Sequence, residues 1–279
     1  DWVWIKNRSD AKQHHLFDVV RGAGKFIESS TTDAEATDTT TLSSFDSDGF
    51  TLGNSGKVNG SSVTAVSWNW LAGGTASSNT DGSITSSVSA NTTAGFSVVT
   101  YTGTGSSATV GHGLGAVPKV FWTKKRNTSE SWGVYHHTQG TDKFLRLESS
   151  NALDTSSTVW DDTTPTSSVF SIGTGGISNT SSGTYVAYCF AEKKGYSKFG
   201  LYTGNGSTDG TFVYTGFKPA FILNKRTTST SMDWHIWDNK RSGAEGFNVI
   251  DKVVYPNLSN GEDTLTSLDI VSNGFKIRD

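Results

Sequence analysis

The chain is poor in several residue types that would mark a common class of protein. Its 279 residues include one Cys, one Met and four Pro. A single cysteine excludes a disulfide framework or a cysteine-based metal site within one chain. Because Cys189 lies in the apolar run Tyr185–Phe190, we predict that it is a buried core thiol. No apolar run approaches the roughly 20 residues that cross a bilayer, and no basic-then-apolar start suggests a signal peptide.

Charge is also scarce. Charged residues make up 18% of the chain, and the net charge is −3 without blocks of one sign. A nucleic-acid binder would carry a basic stripe, so no nucleic-acid partner is expected. Membrane insertion is not expected either, because no apolar run is long enough to cross a bilayer. The surface must instead be covered by Ser, Thr, Asn and Gly, which favour strands and turns over helices.

A repeated sequence pattern organises the chain. An aromatic strand with glycine turns leads to a proline and then to a strand that ends in cations, as in Trp4–Arg8. Such a shared register indicates a repeat protein. The matched pairs are Tyr101 with Tyr202 and Pro118 with Pro219, each 101 positions apart, and Lys125 with Lys225 and Arg126 with Arg226, each 100 apart.

Short alternating segments without helical periodicity predict an all-β fold. The predicted strands include one that opens at Tyr101 and again at Tyr202, and the segments Phe50–Leu52, Val63–Trp70 and Tyr185–Phe190. We expect tandem antiparallel β-sandwich repeats of the jelly-roll or concanavalin A-like type. Up-and-down barrels and propellers are alternatives, although a period of about 100 residues exceeds the roughly 40–50 of a propeller blade. The predicted units are an incomplete first repeat (1–72), a Ser/Thr/Gly-rich linker or crossover (73–94), a second repeat (95–192), and a third repeat lacking its last strand (193–279).

The incomplete outer repeats have two explanations. The chain is either a piece of a longer one, or its end repeats are completed by strand exchange with a neighbouring copy.

Aromatic and cationic residues on the repeated strands are the candidate ligand contacts. Residues spaced by two share one face of a strand, so an exposed aromatic pair could stack on sugar rings beside cations that bind acidic groups. The alternatives are core packing for the aromatics and ion pairs with Asp18 or Asp238 for the cations. The candidates are Trp2, Trp4, Trp68, Trp70, Trp132, Trp234, Trp237, Lys124, Arg126, Lys225 and Arg226.

No catalytic or metal site is predicted. The adjacent histidines His14-His15 and His136-His137 should point to opposite faces of a strand, so one doublet cannot chelate a metal. The acidic pair Asp161-Asp162 lies in a polar loop, whereas glycoside hydrolysis needs carboxylates that face each other. We therefore expect a non-enzymatic protein without a cofactor, and a polysaccharide hydrolase or lyase is a less favoured alternative.

Several ordered motifs resemble a repeat family found in structural and tail-fibre-like proteins of marine tailed bacteriophages. They are Trp4–Arg8, Ser44–Gly53, Asn79–Ile84, Ser89–Gly105 and Val110–Gly115. The resemblance covers nearly the whole chain. It implies a virion protein with a host-binding or scaffolding role, similar in outline to lectin-like concanavalin A and SPRY sandwiches, and it assigns no functional residues.

The expected function is therefore a phage appendage that binds host-surface glycan or carries a receptor-binding tip. A purely structural fibre, filament or capsid-decoration protein is the alternative. The expected location is the virion. The expected partners are further copies of the chain, as a trimer or filament, other virion proteins and host surface polysaccharide.

Overall fold

The computed structural model describes residues 1–241, 248 and 250–278. Strands account for 41% of the chain and helices for 3%, which confirms the predicted all-β class. The strands are antiparallel and form several small sheets. They fall into three sets, which we call the first, second and third strand sets; each set includes the loops between its strands.

The first set forms a five-stranded sheet with the order β4-β3-β2-β1-β7, and β5 pairs separately with β6. Its strands are β1 (Trp2–Asn7), β2 (His15–Asp18), β3 (Lys25–Glu28), β4 (Ala36–Thr37), β5 (Leu42–Phe45), β6 (Phe50–Leu52) and β7 (Ala65–Trp70).

The second set forms a six-stranded sheet with the order β13-β12-β17-β10-β9-β8, together with the pairs β11–β16 and β14–β15. Its elements are β8 (Ser77–Asn79), β9 (Ser86–Asn91), β10 (Phe96–Thr102), β11 (Ala108–Gly111), β12 (Pro118–Lys125), β13 (Gly133–His136), β14 (Lys143–Phe144), β15 (Asp154–Thr155), α1 (Ser157–Trp160), β16 (Val169–Ile172), α2 (Gly176–Asn179) and β17 (Thr184–Ala191).

The third set forms a four-stranded sheet with the order β18-β23-β22-β21 and the pair β19–β20. Its strands are β18 (Phe212–Tyr214), β19 (Phe221–Lys225), β20 (Trp234–Asp238), β21 (Ile250–Val253), β22 (Asp263–Val271) and β23 (Gly274–Ile277).

The three sets share one pairing register around the cationic strands β1, β12 and β19. Trp4 lies opposite Leu16, Trp122 opposite Val134, and Leu223 opposite Ile236. We call residues at equivalent places in these pairs matching residues. Two positions further along each strand lies a lysine, so Lys225 matches Lys124 and Lys6. The predicted match of Lys225 with Lys125 is therefore wrong by one residue.

Two other predicted segments differ from the structure. The stretch 73–94, predicted as a linker or crossover, contains β8 and β9, and β9 pairs with β10 from Phe96↔Asn91 onward. The strand predicted to open at Tyr202 is absent there, although the related Tyr101 lies in β10. In the second set β10 pairs with β17, and no described strand of the third set takes that place. The domain boundaries themselves remain a prediction.

One face of the five-stranded sheet, of the six-stranded sheet and of the β19–β20 pair packs into a core that all three sets share. Trp2 and Trp4 of the first set, Tyr188 of the second and Ile236 of the third lie in this common core. The rings of Trp2 and Tyr188 lie 4.9 Å apart between centroids. Such aromatic contacts bury large apolar areas and add edge or stacking energy. The three sets are therefore held together mainly by hydrophobic burial.

The opposite face of each sheet packs on its own separate core. In the first set Val3 and Phe17 pack with Phe50 of the β5–β6 pair. In the second set Phe121 packs with Phe170 of the β11–β16 pair. This sandwich-like layering explains why all six residues of β1 are buried. Cys189 is buried in the second of these cores, as predicted.

Candidate functional site between the strand sets

A buried ion cluster joins the second set to the first. The Nε of Arg21 lies 2.5 Å from Oδ2 of Asp18, and its NH1 donates to Glu35 at 3.2 Å. Arg126 of the second set donates from Nε to the same carboxylate at 2.9 Å. The hydroxyl of Tyr188, also from the second set, donates to Oδ2 of Asp18 at 2.8 Å. Two residues of the second set thus satisfy two carboxylates of the first.

A second, equivalent ion cluster joins the first set to the third. Arg241 contacts Asp238 at 2.6 Å and Glu262 at 3.0 Å. Arg8 of the first set donates to Glu262 at 2.7 Å. The indole of Trp68, which matches Tyr188, donates to Oδ2 of Asp238 at 3.0 Å. Each element of the first cluster therefore has a counterpart here.

The electrostatics of both clusters follow from burial and pairing. Burial alone would raise the pKa of Glu35, but the hydrogen bond from Arg126 and the charge of Arg21 hold it below its ordinary value. Burial would likewise raise the pKa of Asp238, but the charge of Arg241 and its hydrogen bond hold that pKa below its ordinary value. Both carboxylates are charged at neutral pH, as an ion pair of this kind requires. Glu35 and Asp238 are thus held as charged carboxylates in contact with arginine at the two interfaces.

The third interface, between the third set and the second, lacks this cluster. The matching positions hold His136 in place of aspartate, Gln139 in place of arginine, and Leu153 in place of glutamate. Leu153 still donates its backbone N–H across the interface, to the carbonyl of Thr227 at 3.0 Å. Burial and then the adjacent His137 lower the pKa of His136 to about 4. This interface is therefore uncharged at the matching positions.

The three matching lysines bridge the sets in a cyclic order by binding carbonyl oxygens. Lys6 of the first set donates to Ser259 O of the third at 3.2 Å, and Lys124 of the second to Thr32 O of the first at 2.9 Å. Lys225 of the third set donates to Ser150 O of the second at 3.3 Å. Each set thus supplies one carbonyl oxygen to the lysine of a neighbouring set, in a pseudo-threefold arrangement.

Burial sets the ionisation of these lysines. Burial, the largest effect, lowers the pKa of Lys6 and of Lys124 to about 8, against a smaller opposing effect of nearby carboxylates. The pKa of Lys225 is also lowered, again by burial. Both Lys6 and Lys124 are fully buried, so an ammonium group there depends on the carbonyls that it contacts.

Tryptophan side chains add a second cyclic contact. The indole of Trp132 in the second set donates to Glu28 O of the first at 3.0 Å. The matching Trp234 of the third set donates to Arg146 O of the second at 2.9 Å. In the first set the matching residue is His14, which accepts a hydrogen bond from Trp4 within the same set at 2.9 Å. Trp132 and Trp234 therefore act as fixed links between neighbouring sets.

Most of the predicted ligand residues lie inside the protein. Among the aromatics Trp70 alone is half-buried, and its ring packs against Trp2 at 4.7 Å. The predicted pairing of cations with Asp18 or Asp238 is wrong, because Arg8 and Arg126 pair with glutamates. The buried candidates are Trp2, Trp4, Trp68, Trp132, Trp234, Trp237 and Lys124; Arg126 and Lys225 are half-buried and Arg226 is exposed.

The described residues contain no group of three His, Cys, Asp or Glu side chains close enough to hold a metal ion. The rings of His136 and His137 stack with centroids 5.3 Å apart, so the two do not point to opposite faces as predicted. No described helix has the length and apolarity to span a membrane.

Comparison with known proteins places the chain in a family. The model of a domain of unknown function, DUF7483, matches residues 1–279. The chain belongs to the DUF7483 family. Neither the curated proteins nor the solved structures gave a match. The contacts between the strand sets are therefore the features of this DUF7483 domain that bear on its function.

Sequence reasoning named Asp18, Asp238 and Arg126 but missed their cluster partners Arg21, Arg241 and Glu35, although a signal for the two arginines was present. Asp18 and Arg21 are three residues apart in the first set, and Asp238 and Arg241 in the third. The second set has His136 and Gln139 at those places. An Asp-x-x-Arg motif that begins at the last residue of both β2 and β20 would have pointed to a recurring structural contact.

Proposed function

We propose that this protein is a non-enzymatic structural component of an extracellular assembly, a fibre, filament or decoration protein of a tailed-phage virion. The observation that carries the proposal is the cyclic set of contacts between strand sets. Residues that a binding protein would present to a ligand are used instead to fix one set against the next. The cations Lys6 and Lys124, for example, are fully buried on carbonyl oxygens.

The phage context of this proposal comes from the motif resemblance. In that context the sheets packed on separate outer cores are jelly-roll or concanavalin A-like sandwiches repeated in tandem. The partners are further copies of the chain and other virion proteins. A scaffold of this kind benefits from fixed interfaces, because each buried ion pair or aromatic contact opposes relative motion of the sets.

Host glycan binding is the second candidate, favoured by one specific surface feature. Phe212 and Tyr214 are 47% and 64% exposed and lie two residues apart on β18. They therefore share a strand face and present two rings to solvent. Flat exposed rings can stack on the C–H faces of sugars. In this case the appendage attaches to host surface polysaccharide through the third set.

Two measurements test these functions. Immunogold labelling of purified particles should place the protein on a virion appendage; particles that carry no label would refute the virion assignment.

A glycan array with the purified protein should show no binding if the role is structural only. If glycans bind, Phe212→Ala and Tyr214→Ala should abolish binding, whereas Trp70→Ala serves as a control at a half-buried aromatic. If Phe212→Ala and Tyr214→Ala lose glycan binding while Trp70→Ala keeps it, glycan binding replaces the structural role as the proposed function.

A further inference from the structure

The cationic strand of the third set has one neighbour where its counterparts have two. β1 lies between β2 and β7, and β12 lies between β13 and β17. β19 pairs with β20 on one edge, and no described strand pairs with the other edge. A strand edge without a partner leaves backbone N–H and C=O groups available for another strand.

Exposure of the β19 side chains agrees with a missing neighbour. Trp4 and Trp122 are buried, whereas the matching Leu223 is half-buried. The same contrast holds for Lys225, which is half-buried although Lys6 and Lys124 are fully buried. In β19 only Ile222 is buried. The difference lies at the inward-facing positions, where a further strand would cover these side chains.

A further strand beside β19 would itself have a neighbour on its outer side, and the segment that corresponds to that neighbour is present but forms no strand. The stretch around Tyr202 corresponds to β10, which lies on the far side of β17 in the second set. The hydroxyl of Tyr202 accepts a hydrogen bond from Asn224 of β19 at 2.9 Å, so this stretch lies beside β19. Its neighbour Leu201 is 61% exposed. Both flanks of an unfilled strand position are thus in place.

The strands that occupy this place in the other two sets, β7 beside β1 and β17 beside β12, indicate which sequence would fit beside β19. In β7, Trp68 and Trp70 lie opposite Trp4 and Trp2, and Val66 lies opposite Lys6. In β17 the corresponding residues are Val186, Tyr188 and Phe190. Both strands read Val-x-aromatic-x-aromatic, with the aromatics turned into the common core.

Backbone contacts show which edge groups are involved. The N–H of Arg8 donates to Thr64 O, just before β7, and that of Arg126 donates to Thr184 O, at the first residue of β17. Because alternate residues of an antiparallel strand point to the same side, Leu223 and Lys225 direct their backbone groups to the free edge of β19.

We propose that the free edge of β19 binds an antiparallel strand of the pattern Val-x-aromatic-x-aromatic, supplied by a partner polypeptide. The inference rests on the structural function proposed above and names the partner that the assembly joins. The central aromatic of the bound strand lies over His136, which matches the aspartates contacted by Trp68 and Tyr188. Main-chain bonds provide affinity, and the two inward aromatics provide specificity, as in β-strand addition generally.

A labelled peptide with the sequence of residues 64–71, flanked by lysines for solubility, tests the proposal by fluorescence anisotropy with the intact chain. We expect saturable binding. N-methylation at the position of Trp68 removes a donor that faces β19 and should weaken binding by about ten-fold or more. N-methylation at the position of Asn69, which faces the other edge, should leave affinity unchanged and is the matched control.

On the protein side, Leu223→Pro removes an N–H from the free edge without touching the β20 ladder, and it should abolish peptide binding. No saturable binding, or equal binding of the two methylated peptides, would overturn the proposal; this outcome would leave the structural function to be decided by the labelling experiment. A dimer of the chain that the peptide dissociates would show that a second copy holds the edge, and would overturn the assignment to a different partner.

Discussion

Replacing Arg21 by methionine should strongly destabilise the contact between the first and second sets. The side chains of Arg21 and Asp18 are both fully buried, and removal of the guanidinium leaves Asp18 and Glu35 with fewer partners. Breaking a buried pair by removing one member costs about 3–5 kcal/mol. With an unfolding entropy of roughly 2.1 cal/mol/K per residue over 279 residues, Tm should fall by about 5–8 °C in a calorimetric melt at pH 7.

Two companion variants make this test specific. In Arg21→Met with Asp18→Asn the uncompensated charge is gone, so the double variant should be more stable than Arg21→Met alone. Gln139→Met changes the matching position of the second set, where no ion cluster exists, and should alter stability by about 0.5 kcal/mol or less. A Tm loss for Arg21→Met no larger than that for Gln139→Met would refute the stabilising role of the cluster.

Three further outcomes follow from individual buried groups. Since burial lowers the pKa of Lys124 in the folded protein to about 8 from its ordinary value of 10.5, the unfolded chain binds more protons between these pH values. Stability relative to Lys124→Met should therefore rise by about 1–2 kcal/mol from pH 7.5 to 9.5 in urea titrations; a constant difference would contradict the lowered pKa. Trp132→Phe loses the hydrogen bond to Glu28 O and should cost about 1–2 kcal/mol, whereas an unchanged urea midpoint would contradict that link. Burial raises the pKa of the Cys189 thiol, so thiol reagents should modify it only at the rate of unfolding, and rapid labelling of the native protein would disprove its burial.

Much of the strand content could be read from the sequence, because alternation and recurrence reinforce each other. The predicted strand Val63–Trp70 corresponds to β7 (Ala65–Trp70), and Tyr185–Phe190 lies within β17 (Thr184–Ala191). Phe50–Leu52 was also predicted at the place of β6. Phe50–Leu52 and Val66–Trp70 carry apolar residues at every second position, which is the pattern of a half-buried strand, whereas Tyr185–Phe190 is apolar throughout and buried on both faces.

The site was harder to predict, because the layer that covers it comes from a distant part of the chain. Trp2 and Trp4 share a strand face whether that face meets solvent or another sheet, so local spacing does not distinguish a sugar-binding row from a core. Lys6 and Lys124 read as surface cations for the same reason. Their burial depends on residues such as Thr32 and Ser259, whose proximity arises only when the sets pack together.

The strand predicted at Tyr202 illustrates the converse error. The sequence there matches the β10 segment at Tyr101, so local pattern alone predicts the same structure. A strand needs a ladder partner, however, and β10 has β17 where the third set has no described equivalent. Local sequence thus specified the tendency, and tertiary pairing decided the outcome.

The contact between Arg8 and Glu262 spans 254 positions of the chain, and this separation shapes how the protein is made. On the ribosome, Trp68 and Arg8 emerge long before Asp238 and Glu262, so the first set must wait with part of its apolar face uncovered. Contacts of such long range are slow to form, because loop closure precedes any gain from them. The contact between the first and third sets therefore cannot form until the third set has been made, and before then the uncovered apolar face exposes the nascent chain to aggregation.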